Sequence, residues 1–359
     1  MLRFISLCGL IGLLVHTSLL AAEYTVTVVN NPRPVSLAGI NNNGEVVGSG
    51  YQDGTILLNA YYWPAATQGQ DLGNMGCSYV NVSECFAKAY AANDNGVIVG
   101  EGHADYFYAY APVAFRWENS VMEPLPTVGL EYSEARDVNN AGTIVGFGRA
   151  TFNYSYVSQA YVLFADTQTL GLWATAPGLA SFAYGINAHN TVAGCFAPNG
   201  SELTPGFWTD TGNRQYQFTA LPAPDTQACV EDINDQNSMI GYSRVSSGGR
   251  HAALWTNTQF VDLGTLGVYV DASYANALNN AGQVVGNYHS WERLCRPTCR
   301  TESHRLAFIW ENGAMTPLDA LVEAGVFVND AFDINEQGQI AASGTVNGHP
   351  EFMILTPMP

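Results

Sequence analysis

The chain has 359 residues, of which 47% are apolar and 12% charged, so it can form a large core and carries too little charge for a disordered protein. Acidic residues outnumber basic ones 31 to 13, giving a net charge of −18. This charge argues against nucleic acid as a partner, because phosphate binding depends on clustered Lys and Arg. Abundant Gly, Thr, Asn, Val and Tyr favour an all-β fold over a helical one.

Residues 1–22 have the pattern of a secretory signal peptide. Arg3 gives a positive start, residues 4–15 form an apolar run, and small residues precede the predicted cleavage point at Ala22. The alternative is an N-terminal membrane anchor, but the apolar run is short for a membrane span. We therefore expect an exported protein, periplasmic or secreted, whose mature domain is 23–359 and which is not integral to a membrane.

A nine-residue motif recurs seven times along the mature chain. Its first copy is Ile40-Asn41-Asn42-Asn43-Gly44-Glu45-Val46-Val47-Gly48. The anchoring asparagines of the copies are Asn41, Asn93, Asn139, Asn187, Asn234, Asn279 and Asn335. Successive asparagines are 52, 46, 48, 47, 45 and 56 residues apart, a period typical of a propeller blade and not of a helical solenoid.

The motif has the chemistry of a β-hairpin turn. We expect the anchoring Asn to cap the turn with its own side chain, and the residue three positions later is Gly in five copies and Asn in two. These two residue types best tolerate a left-handed backbone. The motif therefore predicts the end of one strand, a tight turn and the start of the return strand.

Two further strands are predicted in each period. A short apolar strand comes next and in five copies ends in Trp, as in Ala60–Trp63, and these Trp residues are expected in the core. A turn and a fourth strand ending in Leu follow, as in Asp71-Leu72-Gly73. Four short strands per period predict one antiparallel blade per repeat.

The fifth copy shows the rest of the unit most clearly. It contains His251-Ala252-Ala253-Leu254-Trp255 and then Asp262-Leu263-Gly264-Thr265-Leu266-Gly267. These segments resemble the HAF-repeat, or probable extracellular repeat, family, whose units run roughly as I-N-x-x-G-x-V-V-G, H-A-F-x-W and D-L-G-T-L-G. The resemblance covers almost the whole mature chain and implies an exported, β-propeller-like protein. It implies no reaction, because the family has no established biochemical activity.

We predict a single seven-bladed β-propeller of four-stranded antiparallel blades. Seven copies give about 48 residues per unit. The seventh unit ends after 352–355 without a fourth strand, whereas 24–29 alternates like a strand just before the first repeat. We expect the N-terminal strand to pair with 352–355, closing the ring and removing an open edge. The alternative is two smaller independent domains.

Six cysteines belong to the mature chain, and export predicts that they form disulfides. They are Cys77, Cys85, Cys195, Cys229, Cys295 and Cys299. Six cysteines allow 15 pairings, of which we favour nearest neighbours: 77 with 85, 195 with 229, and 295 with 299. We place all six in long loops on one face. Zinc is the competing interpretation, but no C-x-x-C pair supports it, so we predict no metal and no cofactor.

The long-loop face is the predicted functional face, because the Asn turns of the opposite face are short and uniform. The candidate ligand-binding rings are Tyr106, Tyr108, Tyr154, Tyr156, His289 and Trp291. Such rings suit stacking on sugars or anchoring a protein, and the alternative is that they cover the blade ends. Arg293, Arg296 and Arg300 are candidate binding residues in a cationic loop of the sixth blade, to which Arg305 also belongs. The loop suits a carboxylate, an anionic glycan or an acidic partner, and the alternative is a solvated loop.

Catalytic motifs are missing from the sequence, which has no G-x-S-x-G, Walker, H-E-x-x-H or G-x-G-x-x-G segment, and we predict no catalytic residue. Asp137, Asp232 and Asp333 lack the ligand pattern of a calcium loop and are interpreted as parts of turns. We expect a monomeric, non-catalytic binding or scaffold propeller that engages a glycan or an extracellular or envelope protein. The alternatives are a secreted glycosidase or lyase with carboxylates at the channel mouth and a purely structural repeat protein.

Overall fold

The computed structural model is all-β, and within the residues it describes the single helix is a short 3-10 turn at Leu318–Ala320. The described ranges are 23–29, 34–52, 54–64, 69–76, 86–103, 111–126, 129–152, 155–166, 169–172, 179–198, 202–225, 227–246, 248–266, 270–295 and 299–359. The predicted signal peptide lies outside them. No helix in these ranges is long and apolar enough to cross a membrane.

Each copy of the repeat forms a meander of four antiparallel strands, which we call a unit. Units 1 to 4 contain β2 (Pro34–Ile40), β3 (Val46–Tyr51), β4 (Leu58–Trp63), β5 (Gln70–Gly73), β6 (Ala87–Ala92), β7 (Ile98–Gly102), β8 (Val113–Glu118), β9 (Val121–Pro124), β10 (Tyr132–Val138), β11 (Ile144–Phe152), β12 (Ser155–Leu163), β13 (Thr169–Leu172), β14 (Ala180–Ile186), β15 (Val192–Ala197), β16 (Thr204–Asp210) and β17 (Tyr216–Ala220). Units 5 and 6 contain β18 (Ala228–Ile233), β19 (Met239–Arg244), β20 (Arg250–Thr256), β21 (Gln259–Gly264), β22 (Val270–Leu278), β23 (Val284–Cys295), β24 (Cys299–Glu311) and β25 (Ala314–Pro317). Unit 7 contains β26 (Val326–Ile334), β27 (Ile340–Val346) and β28 (His349–Pro357), with β1 (Tyr24–Val28) as its fourth strand.

Five units are separate four-stranded sheets. Units 5 and 6 share one eight-stranded sheet, because a single parallel bridge between Arg250 and Ala272 joins β20 to β22. Each sheet follows chain order, except that β1 comes from the opposite end of the chain. The described residues therefore repeat one antiparallel supersecondary element.

The N-terminal strand pairs with the C-terminal strand, as the sequence predicted. β1 runs antiparallel to β28 in a register that places Tyr24 opposite Pro357 and Val28 opposite Met353. The N–H of Val29 continues the ladder by donating to the carbonyl of Phe352 at 2.7 Å. This pairing covers an edge of β28 that would otherwise be open.

The Asn turns have the predicted conformation. The residue three positions after the anchoring Asn has a positive φ in every unit, for example 77° at Gly44 and 60° at Asn190. Oδ1 of Asn41 accepts the N–H groups of Asn43 at 3.1 Å and Glu45 at 3.0 Å. Five of the other anchoring asparagines make both equivalent bonds, and Oδ1 of Asn279 accepts the N–H of Gln283 at 3.1 Å. The Asn side chain therefore satisfies two turn amides, which stabilises the hairpin.

The anchoring asparagines also join neighbouring units, a role that the sequence did not reveal. Nδ2 of Asn41 donates to the carbonyl of Asn93 at 3.0 Å, and each later Asn makes the same bond to the next. Nδ2 of Asn335 donates back to the carbonyl of Asn41 at 3.0 Å. All seven asparagines are buried, so losing one would leave unsatisfied polar groups. We call this set of seven asparagines the turn end.

Apolar side chains fill the spaces between neighbouring units. One cluster combines Val99 and Ala114 of unit 2 with Ala135 and Ile144 of unit 3. The third-strand tryptophans lie in this layer: Trp63, Trp208 and Trp255 are fully buried, and Trp117 and Trp310 are partly buried. Their predicted core position is confirmed, and burying such large rings provides much of the packing energy between units.

The third and fourth strands of a unit are tied by a polar pair that explains the His and Asp of the repeat. Nδ1 of His251 lies 2.9 Å from Oδ1 of Asp262, which also accepts the N–H of Gly264 at 2.8 Å. In unit 1, Asn59 takes the place of the histidine and donates to Asp71 at 2.9 Å. These residues therefore hold the hairpin, and nothing in their position points to a ligand.

One predicted disulfide is confirmed, but the predicted location of its two cysteines in loops is wrong. Cys195 and Cys229 are bonded, with their Cα atoms 5.1 Å apart, and both are buried in strands, β15 and β18, and not in loops. Cys77 and Cys85 lie outside the described residues. Cys295 and Cys299 are opposite each other in the β23–β24 ladder. The predicted long loop of the sixth unit is therefore largely a long hairpin.

Candidate functional site

A bulge in every first strand aims one side chain towards a central cavity. In β10 the pairing with β11 shifts between Ala135 and Asp137, leaving Arg136 as the extra residue. The same shift occurs three residues before the anchoring Asn in all units. The seven bulged residues are Ala38, Tyr90, Arg136, Tyr184, Glu231, Asn276 and Phe332. Bulges commonly redirect a side chain in this way beside functional sites.

All seven bulged residues line one cavity of about 700 Å³. Other first-strand residues such as Tyr274, second-strand residues and Arg305 of β24 complete its wall. The further lining residues used below are Tyr242, Tyr274, Asn287, His289 and Arg305. The second-strand residues follow the closing glycine of the repeat and so lie farther from the Asn turns. We call this region the cavity end; its volume is within the usual range for small-ligand sites.

Arg136 lies between two of the tyrosines. Its guanidinium is 4.6 Å from the ring centre of Tyr90 and 5.6 Å from that of Tyr184, which are cation–π distances. Nη1 of Arg136 also lies 3.5 Å from Oε2 of Glu134. Burial lowers the pKa of Arg136, but Glu134 and the other acidic groups nearby outweigh this effect and raise it. Arg136 is therefore a permanent cation in the wall.

Tyr90 is held in place by a buried carboxylate. Its hydroxyl donates to Oε1 of Glu101 at 2.6 Å, and Tyr132 donates to Oε2 at 3.1 Å. Nζ of Lys88 lies 3.2 Å from the same Glu101 carboxylate. Burial, followed by the charge of Glu101, raises the pKa of Tyr90. The tyrosine thus stays neutral and its ring is fixed in orientation.

Three aspartates follow the bulge and line the cavity. Asp137, Asp232 and Asp333 each accept two backbone N–H bonds, one within their own unit and one from the next; Asp333 accepts from Ile334 at 2.8 Å and Ile40 at 2.7 Å. They lie near the ends of the first strands, and the segments that begin with them continue into the Asn turns, as interpreted from the sequence. A second cavity of about 220 Å³ lies towards the turn end and shares Asp137 and Asp333 with the first.

Burial raises the pKa of several cavity carboxyls. The pKa of Glu231 rises to about 7, and Arg136 offsets this only in part. Burial raises the pKa of Asp333 to about 7 and that of Asp137 to about 6, although the backbone hydrogen bonds act in the opposite direction. Burial and the charge of Asp137 raise the pKa of Asp232 well above its usual value. Burial in the cavity therefore destabilises the ionised form of these carboxyls.

One of the predicted ligand residues lines the cavity and one lies elsewhere. His289 lines it, with its ring 6.3 Å from that of Tyr274. Tyr156 is on β12, 66% exposed and packed under Arg149 at 4.5 Å, away from the cavity. Tyr106, Tyr108, Tyr154 and Arg296 lie outside the described residues. Trp291, Arg293 and Arg300 are on β23 and β24, and their side chains are outside the description.

The bulged residues were not predicted from the sequence. In each copy they are the variable position between a small or aliphatic residue and a Gly, Ala or Asp, as in Ala183-Tyr184-Gly185 and Ala89-Tyr90-Ala91. A variable residue inside an otherwise uniform strand was the available signal. No group of three or more His, Cys, Asp or Glu side chains within the described ranges is arranged to hold a metal ion.

Comparison with known proteins identifies the fold. The sequence matches no protein-family model and no curated protein. The β-propeller domain of the Trilobed protease from Pyrococcus furiosus, which has an open velcro topology, is similar over 89% of this chain and 94% of that one, with 8% identity and a TM-score of 0.54. An acylaminoacyl peptidase in complex with Z-Gly-Gly-Phe-chloromethyl ketone is similar over 93% of this chain and 51% of that one, with 9% identity and a TM-score of 0.51. The chain therefore has a β-propeller fold.

Proposed function

We propose that this protein is an exported, non-catalytic binding propeller of the HAF-repeat type that holds a glycan in its central cavity. The observation that carries the proposal is the cavity of about 700 Å³ in which four tyrosines surround polar and charged groups. Flat rings stack on sugar faces, and the polar groups bind hydroxyls. A protein ligand at the same face is less well matched, because the binding groups converge inward.

The proposal includes one closed ring of seven blades. Its support is the cycle of asparagine hydrogen bonds, which passes from Asn41 through each unit and returns from Asn335. The pairing of β1 with β28 adds a second link between the chain ends. Residues from all seven first strands line one cavity, as expected of a ring around a shared axis.

Export is supported by the buried disulfide. Cys195 and Cys229 lie 34 residues apart and join two units. Structural disulfides of this kind form in oxidising compartments such as the periplasm or the extracellular space. The predicted signal peptide at 1–22 would direct the chain to such a compartment.

Glycan-array profiling of the mature chain tests the function. We expect binding to one glycan class, at least about tenfold weaker in Tyr184→Ala and Tyr274→Ala because each loses a ring from the wall. Tyr156→Ala is the matched control, because it removes an exposed ring outside the cavity and should bind normally. Unfolding midpoints monitor folding of all three variants. Equal binding by wild type and both cavity variants would remove the cavity from the proposal.

A second candidate is a secreted carbohydrate-active enzyme, which the raised pKa of Glu231 favours. A carboxyl with a pKa of about 7 in a ligand cavity suits a general acid. This alternative predicts polysaccharide cleavage by the wild type and none by Glu231→Gln. A screen of polysaccharides that yields no product from the wild type would remove it.

A further inference from the structure

Resting on the glycan-binding function proposed above, we propose that the sugar residue held in the cavity carries a free ammonium group, as in a de-N-acetylated amino sugar. Three observations support a cationic, donor-rich ligand: the charge of the lining, an unpartnered buried acceptor and the arrangement of aromatic rings. Each involves residues that line the same cavity.

Carboxyl groups outnumber cations in the cavity wall. The four lining carboxyls are Asp137, Glu231, Asp232 and Asp333, and the two lining guanidinium groups are Arg136 and Arg305. Both cations already have an acidic partner outside the lining: Arg136 lies 3.5 Å from Glu134, and Arg305 lies 2.8 Å from Asp330. As these carboxyls ionise, the cavity therefore attracts positive charge and repels an anionic sugar.

A buried acceptor in the wall has no donor. Oδ1 of Asn287 makes no hydrogen bond to any part of the chain that the structure describes, although the residue is only 2% exposed. Asn287 lies on β23, two residues before His289, and lines the cavity. An unpaired buried oxygen costs about 1–3 kcal/mol, which a ligand donor would recover. Ammonium supplies three N–H donors and no acceptor.

The aromatic groups of the cavity already hold cations. Arg136 lies over Tyr90 and Tyr184, and the guanidinium of Arg250 lies 5.0 Å from the ring centre of Tyr242. Tyr274 and Phe332 also line the cavity. An ammonium group next to these rings and carboxyls gains from both at once.

The pKa values agree with this charge pattern. Burial raises the pKa of Glu231 and of Asp333 to about 7, as expected where ionised carboxyls lack enough positive charge around them. A bound ammonium group would supply that charge.

Isothermal titration calorimetry of the mature chain at about pH 7, where amino groups are still mostly protonated and the carboxyls of Glu231 and Asp333 are about half ionised, tests the inference. The probes are tetramers of glucosamine, N-acetylglucosamine and galacturonate, together with tetralysine. We expect glucosamine to bind about tenfold more tightly than N-acetylglucosamine, the effect of one charge-assisted hydrogen bond, and more tightly than the other two. Glu231→Gln and Asn287→Leu should each remove most of this preference. Glu123→Gln, which removes an exposed carboxylate outside the cavity, should keep it.

The outcomes separate the two proposals. Equal binding of the acetylated and free-amine tetramers, or tighter binding of galacturonate, would overturn the ammonium inference and leave the glycan function standing. Tetralysine binding as tightly as the glucosamine tetramer would overturn the amino sugar as the ligand class. Failure of every sugar probe, together with a blank glycan array, would overturn both proposals.

Discussion

The turn end and the cavity end of the molecule are built on opposite principles. At the turn end, every unit has the same residue, an Asn, making the same bond to the next unit. At the cavity end, the bulged position differs from unit to unit, from Ala38 to Arg136 to Phe332. The turn end holds the units together, and the cavity end places a different side chain from each unit in the cavity wall. Under the proposed function, stability and recognition thus depend on different parts of the same scaffold.

Contacts between units on the cavity side also vary. The residue after the closing glycine faces the first strand of the next unit. The pairs formed in this way include Phe147 with Phe182, Cys195 with Cys229, and Tyr242 with Tyr274. The same geometric position therefore accepts a ring pair or a disulfide, whereas the turn end accepts only Asn.

The largest expected effect is the loss of the disulfide. Cys195→Ala/Cys229→Ala removes a crosslink between residues 34 positions apart and is expected to lower the free energy of unfolding by about 4 kcal/mol. Urea unfolding measures this. Ser343→Ala, at the equivalent position of unit 7, should cost less than about 1 kcal/mol. A double variant as stable as the wild type would show that this contact does not hold the units together.

The turn end should respond next most strongly. Asn139→Ala removes bonds to the carbonyl of Asn187 and to two turn amides, and we expect a loss of about 3 kcal/mol in urea unfolding. Asn140→Ala is the matched control, because Asn140 also bonds to a neighbouring unit, through Asp94, but is exposed, so its loss should cost about 0.5 kcal/mol. Similar losses for both would contradict a special role for the buried asparagines.

At the cavity end, in contrast, we expect a substitution that stabilises the protein, and this effect depends on pH. Burial raises the pKa of Glu231 to about 7, so its contribution to stability is full below the unfolded-state pKa and is lost as the pH rises through 7. At pH 8 the free energy of unfolding of Glu231→Gln is therefore expected to be about 1–2 kcal/mol higher than that of the wild type, and at pH 4 the two should be similar. A variant less stable than the wild type at pH 8 would show that Arg136 outweighs burial.

The smallest effect concerns the turn backbone. Gly142 has a φ of 77°, and Gly142→Ala should lose about 1 kcal/mol because of the side-chain clash in this conformation. Asn257→Gly, at an exposed turn position whose φ is 49°, should be neutral within about 0.5 kcal/mol. Thermal unfolding compares them, and an equal loss in both would point to a cause other than φ.

The features that could be predicted from the sequence depend on local residue preferences or on the number of strands in each unit. The Asn-x-x-Gly turns followed from residue conformational preferences, and the partner of Tyr24–Val28 followed from the missing strand of the last unit. The inter-unit role of Asn41 could not be predicted, because its acceptor lies 52 residues away. The bulge at Arg136 adds one residue to a strand and so redirects a side chain that simple alternation places elsewhere.

A crystal structure of the mature chain with a glucosamine tetramer tests the central claim most directly. The account predicts one sugar in the cavity, with its ammonium nitrogen within hydrogen-bonding distance of Oδ1 of Asn287 and beside the carboxyls of the wall. The Asn turns should be unchanged from the free protein. Sugar bound to the turn end or to the outer edge of a sheet, with the cavity empty, would contradict the assignment of stability to the turn end and of ligand binding to the cavity end.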